Sequence, residues 1–178
     1  MKLNYKRTFF VGMAFLSISA FWQMYDNIIP LILQNTFHLN ETIIGAIMAM
    51  DNVLAVFLLP VIGTLSDKVD TKMGKRTPFI IGGTFVAAIC MMLLPLADHY
   101  KMLGLFIVAL ALTLIAMAMY RSPAVALMPD LTPKPLRSSA NAVINLMGAV
   151  GAIYALILIR LLVKKEEHPS YLPVFLGV

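Results

Sequence analysis

Charge is scarce in this chain. Only 13% of its 178 residues are Asp, Glu, Lys or Arg, where a soluble domain carries about 25%. There is one cysteine, Cys90. It lies inside an apolar run, so it reads as packed against lipid or helix and says nothing about redox compartment. The histidines, His38, His99 and His168, are scattered and have no metal-ligand spacing. No nucleophile constellation and no glycine-rich phosphate loop appears. These absences argue against an enzyme, a bound metal and a cofactor. Low-complexity tracts and internal repeats are lacking as well. The first apolar run is too long for a signal peptide and has no small-residue cleavage site, so it reads as a retained helix.

Apolar residues fill the space that charge leaves. They make up 60% of the chain, against about 45–50% in a soluble domain. One small core cannot bury that excess, which makes lipid the expected solvent for much of it. The 14 Lys and Arg outnumber nine Asp and Glu, giving a formal charge of +5. A basic surplus can signal nucleic acid, but here the bases sit in short turns between apolar runs. The fold class expected is an all-α membrane protein in a lipid bilayer, with no nucleic-acid partner.

A membrane helix needs roughly 20 largely apolar residues. Five segments qualify, at about 9–33, 42–65, 78–97, 102–128 and 140–163. A sixth opens at Tyr171 and covers eight residues to Val178, too few to span. Short connections make neighbouring helices antiparallel. Basic residues favour the cytoplasmic side of membrane proteins. With the N-terminus inside, that side holds Lys2, Lys6, Arg7, Lys68, Lys72, Lys75, Arg76, Lys134 and Arg137. The outside holds Lys101, Lys164, Lys165 and Arg160, with Glu166 and Glu167 beside the paired lysines. The expected topology is multi-pass in the cell (cytoplasmic) membrane, N-terminus cytoplasmic.

Three charged residues fall inside these apolar segments. Asp26 lies in Trp22-Gln-Met-Tyr-Asp-Asn27, Asp51 precedes Asn52 in helix two, and Arg121 follows Tyr120 in helix four. A charge at the bilayer centre costs at least about 2.5–3.5 kcal/mol on insertion scales, so such residues turn inward and are functional candidates. Each has a bland alternative. Asp51 is either functional or a protonated, hydrogen-bonded packing residue. Asp26 is either in a cavity or simply hydrated near its helix end. Arg121 either pairs across a cavity or snorkels to headgroups.

Trp22, Tyr25 and Asp26 share one helix face. An aromatic plane beside a carboxylate suits a polar ring such as a sugar, and an interfacial aromatic belt is the alternative. Asn141 and Asn145 share a face of helix five, as interhelical hydrogen bonders or as ligand contacts. Gly82, Gly83, Gly148 and Gly151 read as packing positions. Pro30, Pro60 and Pro123 interrupt helices one, two and four and can bend them.

Two loops carry denser patterns. Between helices two and three stands Gly63-Thr-Leu-Ser-Asp67-Lys68-Val-Asp70-Thr-Lys72-Met-Gly74-Lys75-Arg76, and after helix four Asp130-Leu-Thr-Pro133-Lys-Pro-Leu-Arg137. The first resembles the loop signature of the major facilitator superfamily, lengthened between Lys68 and Gly74. That spacing, with Thr77-Pro78-Phe79-Ile80, is similar to the sucrose/proton symporter branch and to glycoside–pentoside–hexuronide:cation symporters. The second resembles the acidic–Pro–Arg pattern of sugar porters, with Asp in place of Glu. The pair Asp51-Asn52, the run Tyr120-Arg121-Ser122-Pro123 and Asn141 strengthen the likeness.

The resemblance implies the N-terminal part of a six-helix half-domain that works with a missing C-terminal half. It implies a cytoplasmic gate made of Gly63, Asp67, Lys68, Gly74, Lys75 and Arg76, with Asp130 and Arg137 joining its charge network. It implies a solute and coupling-ion cavity lined by Trp22, Tyr25, Asp26, Asp51, Asn52, Arg121 and Asn145. Asp51 becomes a candidate ion site, and because sodium-type carboxylates do not align in helix two, protons are favoured. The activity implied is proton-coupled sugar symport by alternating access. The alternatives are an exporter of drugs or metabolites and a non-transporting membrane subunit.

Overall fold

The computed structural model describes residues 5–71, 74–163 and 170–178, and of Arg7 the backbone alone. Lys2, Lys72 and the Lys164–His168 turn of the loop-charge reading lie outside the described residues, as does the Arg7 side chain. Six α-helices follow in order: α1 (Tyr5–Asn35), α2 (Glu41–Lys68), α3 (Thr77–His99), α4 (Leu103–Leu131), α5 (Arg137–Leu162) and the short α6 (Leu172–Gly177). No strand occurs among the described residues. The first five helices are long and apolar enough to cross a membrane.

Most helix ends fall beyond the edges of the apolar runs. Once a helix is nucleated, each added residue gains a backbone hydrogen bond whatever its polarity. Asp67, Lys68, Asp130 and Arg137 therefore belong to helix ends and not to loops. Local chemistry fixes several boundaries. The Asn40 side chain accepts the Ile43 amide at 2.9 Å and caps α2. Glu41 in the first turn and Lys68 in the last suit the helix dipole. Pro78 opens α3, where its missing N–H costs nothing. Pro95 and Pro129 also lie inside helices, beside Pro30, Pro60 and Pro123.

Two tight pairings organise the bundle, α1 along α5 and α3 along α4, with α2 laid against α4. The densest packing sits at the end away from the N-terminus. There Met24, Ile28, Ile29, Ile32 and Leu33 of α1 meet Leu94 and Ala97 of α3, Phe106 and Leu110 of α4, and Val174 and Phe175 of α6. In contrast, α2 buries only Ile44 and Ser66, and it exposes Val53, Val56, Phe57 and Val61.

Glycine makes the close approaches. Lipid gives apolar side chains little reason to leave it for one another, so membrane helices associate through backbone proximity and van der Waals fit. A Cβ at Gly151 would overlap the Leu16 carbonyl of α1. At Gly83 it would come within 2.9 Å of the Tyr120 amide nitrogen. Nothing lies within 4 Å at Gly82. Gly151→Ala is thus expected to destabilise the α1–α5 pair by about 1–3 kcal/mol, as overpacking does. Gly82→Ala is expected to be neutral or slightly stabilising. Thermal unfolding of the detergent-solubilised variants, compared side by side, checks the contrast.

Candidate functional site

The mid-bundle site begins with how α4 is held. Tyr120 reaches α1, where its hydroxyl donates to the Ala14 carbonyl at 2.8 Å and also pairs with the Ser17 hydroxyl. Ser122 reaches α2 and donates to the Leu59 carbonyl at 3.0 Å. Gly63 allows this approach, since a Cβ there would lie 3.3 Å from Ser122 Oγ. Arg121 stands between the two ties. Its guanidinium carbon lies 5.4 Å from the centroid of the Trp22 ring, a cation–π distance.

Asp51 joins Trp22 and Arg121 around a recess of about 20 Å³, closed by aliphatic residues such as Leu54 and Leu114. Asp51 and Arg121 share this recess without forming an ion pair within 4 Å. Asp51 Oδ1 accepts the Asn52 backbone amide at 2.6 Å and its side-chain amide at 2.9 Å. Oδ2 has no hydrogen-bond partner among the described residues. Asp26 and Tyr25 lie close enough to Asp51 to interact with it electrostatically.

Trp22, Tyr25 and Asp26 lie together but differ in exposure, half-buried, buried and exposed in turn. The Tyr25 side chain is buried in the core, and its hydroxyl points to the Met48 carbonyl at 3.4 Å. The Trp22 and Tyr25 rings meet edge to face at 5.3 Å. Asp26 and Asn27 are exposed, and Asn27 donates to the Gln23 carbonyl at 2.7 Å. Asn52, Asn141 and Asn145 are exposed too. Asn145 lies apart from the recess, in a cleft between α1 and α5.

At the end carrying the α2–α3 connection, Arg76 is the organising residue. Its Nη2 pairs with Asp67 Oδ1 of α2 at 2.7 Å, and its Nε pairs with Asp130 Oδ2 of α4. Nη1 donates to the fully buried Ser66 hydroxyl at 3.3 Å. The Arg76 side chain is only 12% exposed, while both carboxylates are more than half exposed. One guanidinium fork thereby spans α2, the start of α3 and the end of α4, a geometry lysine cannot copy. Gly74 takes a φ of 95°, the left-handed region open to glycine. Its amide and carbonyl both bond to Thr71, closing the turn that delivers Arg76.

Three other basic residues of the two loop motifs, Lys68, Lys75 and Arg137, do not join this network. Lys68 and Lys75 are exposed and make no ion pair among the described residues. Arg137 donates to the carbonyls of Pro129 at 2.9 Å and Thr132 at 3.3 Å. It therefore caps the end of α4, because helix-end carbonyls lack intrahelical partners, and meets no carboxylate among the described residues.

Sequence reasoning missed a third polar cluster, at the opposite end. Thr36 donates to Asp98 Oδ1 at 2.6 Å, and Asn35 donates to the Tyr171 hydroxyl at 3.2 Å. They border a cavity of about 660 Å³. Asp98 follows an apolar run and looks like an ordinary loop acid. Nothing in the sequence pairs it with a threonine on another helix.

Residues 11–172 match the Major Facilitator Superfamily, and the chain belongs to that family. It is also similar to the Sucrose transport protein SUC3 of Arabidopsis thaliana, at 33% identity over 113 residues. That similarity covers 53% of this chain and 19% of the relative, so the chain spans a minor part of that protein's length. No solved structure matches.

The Arg76 network generates one prediction. Arg76→Lys keeps the charge and loses the fork, so it is expected to hold one acidic partner at a time. Spin labels at Lys68 and Leu131 should then show a broader distance distribution between α2 and α4 than in the wild type. Arg76→Ala should cost about 1.5–3 kcal/mol in thermal stability, typical of losing a charge-assisted hydrogen bond.

Proposed function

We propose that this chain is the N-terminal portion of a proton-coupled sugar symporter working by alternating access, with a further C-terminal half supplying the facing wall. The observation that carries the reading is the Asp51–Arg121–Trp22 recess. A carboxylate with one oxygen unengaged stands near a guanidinium without being locked to it, so it can take and release a proton. Tyr120 and Ser122 tie the stretch of α4 that carries Arg121 at two points, which keeps the guanidinium in place beside the carboxylate. The printed name of the sucrose transport relative supports a sugar as the solute.

In this reading the N-terminus lies on the cytoplasmic side of the cell membrane, and the Arg76 network closes that side. A proton arriving from the opposite side neutralises Asp51. Neutral Asp51 and bound solute then favour one orientation of the bundle over the other, and their difference in affinity for the two orientations supplies the shift. Asp26 and Asn52 are exposed, each within reach of Asp51, and in this reading they tune its hydration.

The test uses the full-length protein in proteoliposomes with radiolabelled sucrose. Asp51→Asn mimics the protonated acid permanently. It should abolish accumulation driven by a proton gradient while leaving exchange of sucrose down its own gradient. Unchanged accumulation would show that the proton is carried elsewhere.

A further inference from the structure

The cavity of about 660 Å³ at the bundle end opposite Arg76 lies apart from the recess around Asp51. Its wall is a stretch of α3 with Met92, Leu93 and the exposed Leu96. Its rim carries Asp98 and Lys101 at the end of α3, with His99 beside them, and Tyr171 just before α6. Met92 stands six residues before Asp98, roughly 9 Å along the helix at 1.5 Å per residue. The cavity is thus charged at its mouth and apolar below. At the end of a membrane span, that is where headgroups give way to acyl chains.

The rim groups have bonding capacity to spare. Thr36 occupies Asp98 Oδ1 at 2.6 Å, and Oδ2 has no hydrogen-bond partner among the described residues. Asn35 donates to the Tyr171 oxygen at 3.2 Å, and the Tyr171 O–H has no acceptor among them. Asp98 and Lys101 lie within electrostatic reach of each other, yet no ion pair within 4 Å joins them. The backbone of Lys101 is strained as well. Its φ is 53°, in the left-handed region, just past a helix end where glycine is usual. Its amide closes the end of α3 on the Asp98 carbonyl at 3.0 Å. Glycine would make the same turn more easily, so the backbone does not explain the lysine, and the outlier points to a use for its side chain.

We propose that this cavity holds the headgroup of an ethanolamine phospholipid from the leaflet at that end, with Lys101 and Tyr171 on its phosphate, Asp98 on its ammonium, and the Met92–Leu96 wall along the start of its chains. One free carboxylate oxygen and one unpaired lysine ammonium are satisfied together by a head that carries both charges. A purely anionic head would set a like charge against Asp98. A choline head has no N–H to give Asp98 Oδ2, whereas a primary ammonium has three and makes the stronger, charge-assisted bond. Basic side chains at the ends of membrane helices suit lipid phosphate. Asp98 belongs to α3 and Tyr171 leads into α6, so the bound lipid ties the two segments together.

The experiment uses the full-length protein, purified in detergent and stripped of lipid. It is titrated with dioleoyl phosphatidylethanolamine or dioleoyl phosphatidylcholine, and native mass spectrometry counts the lipid retained. The wild type should retain one ethanolamine lipid at about tenfold lower concentration than the choline lipid. Asp98→Asn keeps an acceptor for Thr36 and removes the charge. It should weaken retention of the ethanolamine lipid about tenfold and abolish the preference over choline. Lys101→Gly should weaken retention about tenfold, while thermal unfolding of the lipid-free protein stays unchanged or rises, because glycine accepts the left-handed turn. Lys101→Arg should stay near the wild type in retention. Equal retention of the two lipids by the wild type would overturn the proposal, as would wild-type retention by either Asp98→Asn or Lys101→Gly. Absence of retained lipid would overturn it too, and would mean that other parts of the full-length chain fill the cavity. Equal competition by glycerophosphoethanolamine, which has the head without the chains, would overturn the part assigned to the apolar wall.

Discussion

Polar groups surrounded by apolar residues need partners, and in this bundle α4 both takes and supplies several of them. A hydroxyl taken from water into an apolar medium without a partner costs a few kcal/mol. Tyr120 and Ser122 meet that requirement on opposite sides of α4, one on the backbone of α1 and the other on that of α2. Glycine lets the neighbouring helices close in, since Gly63 admits α2 against Ser122 and Gly83 admits α3 against the backbone of Tyr120. The position of Arg121 follows from these contacts. They add to the packing of α4 along α3 and set the rotation of α4 that presents Arg121 to Trp22.

The polar chemistry is thus distributed in three tiers along the bundle. Arg76 joins α2, α3 and α4 at one end. Arg121, Trp22 and Asp51 occupy the middle. Thr36–Asp98 and Asn35–Tyr171 tie α1 to α3 and α6 at the other end. The apolar packing is uneven across these tiers, dense at the Thr36 end and thin around α2. In the alternating-access cycle proposed above, the end held by discrete ion pairs is the one that would open.

Much of this was legible in the residues. Five apolar runs gave five long helices, because in lipid a backbone must satisfy its own hydrogen bonds and a helix does so locally. The costly charges Asp51 and Arg121 stood out for the same reason, and the loop around Gly63–Arg76 and the Asp130 motif pointed to the family that residues 11–172 match. Helix ends were less legible, because hydropathy marks where lipid ends and not where hydrogen bonding does. Lys75 and Arg76 are adjacent basic residues that look equivalent in the sequence, yet one is exposed and the other bridges two acids.

The sequence by itself determined the solvent, the helices and the residues too costly to face lipid, since all of these depend on local composition and on backbone chemistry within one segment. Only the tertiary structure decided the partners. It buried Tyr25 in the core, turned Arg137 to the carbonyls at the end of α4, drew Thr36 to Asp98, and set Trp22 between a charged recess and a neutral cleft. Those outcomes depend on which helix faces approach each other and how closely. That approach is governed by glycines and hydroxyls on different helices, whose joint effect appears only once the helices are packed.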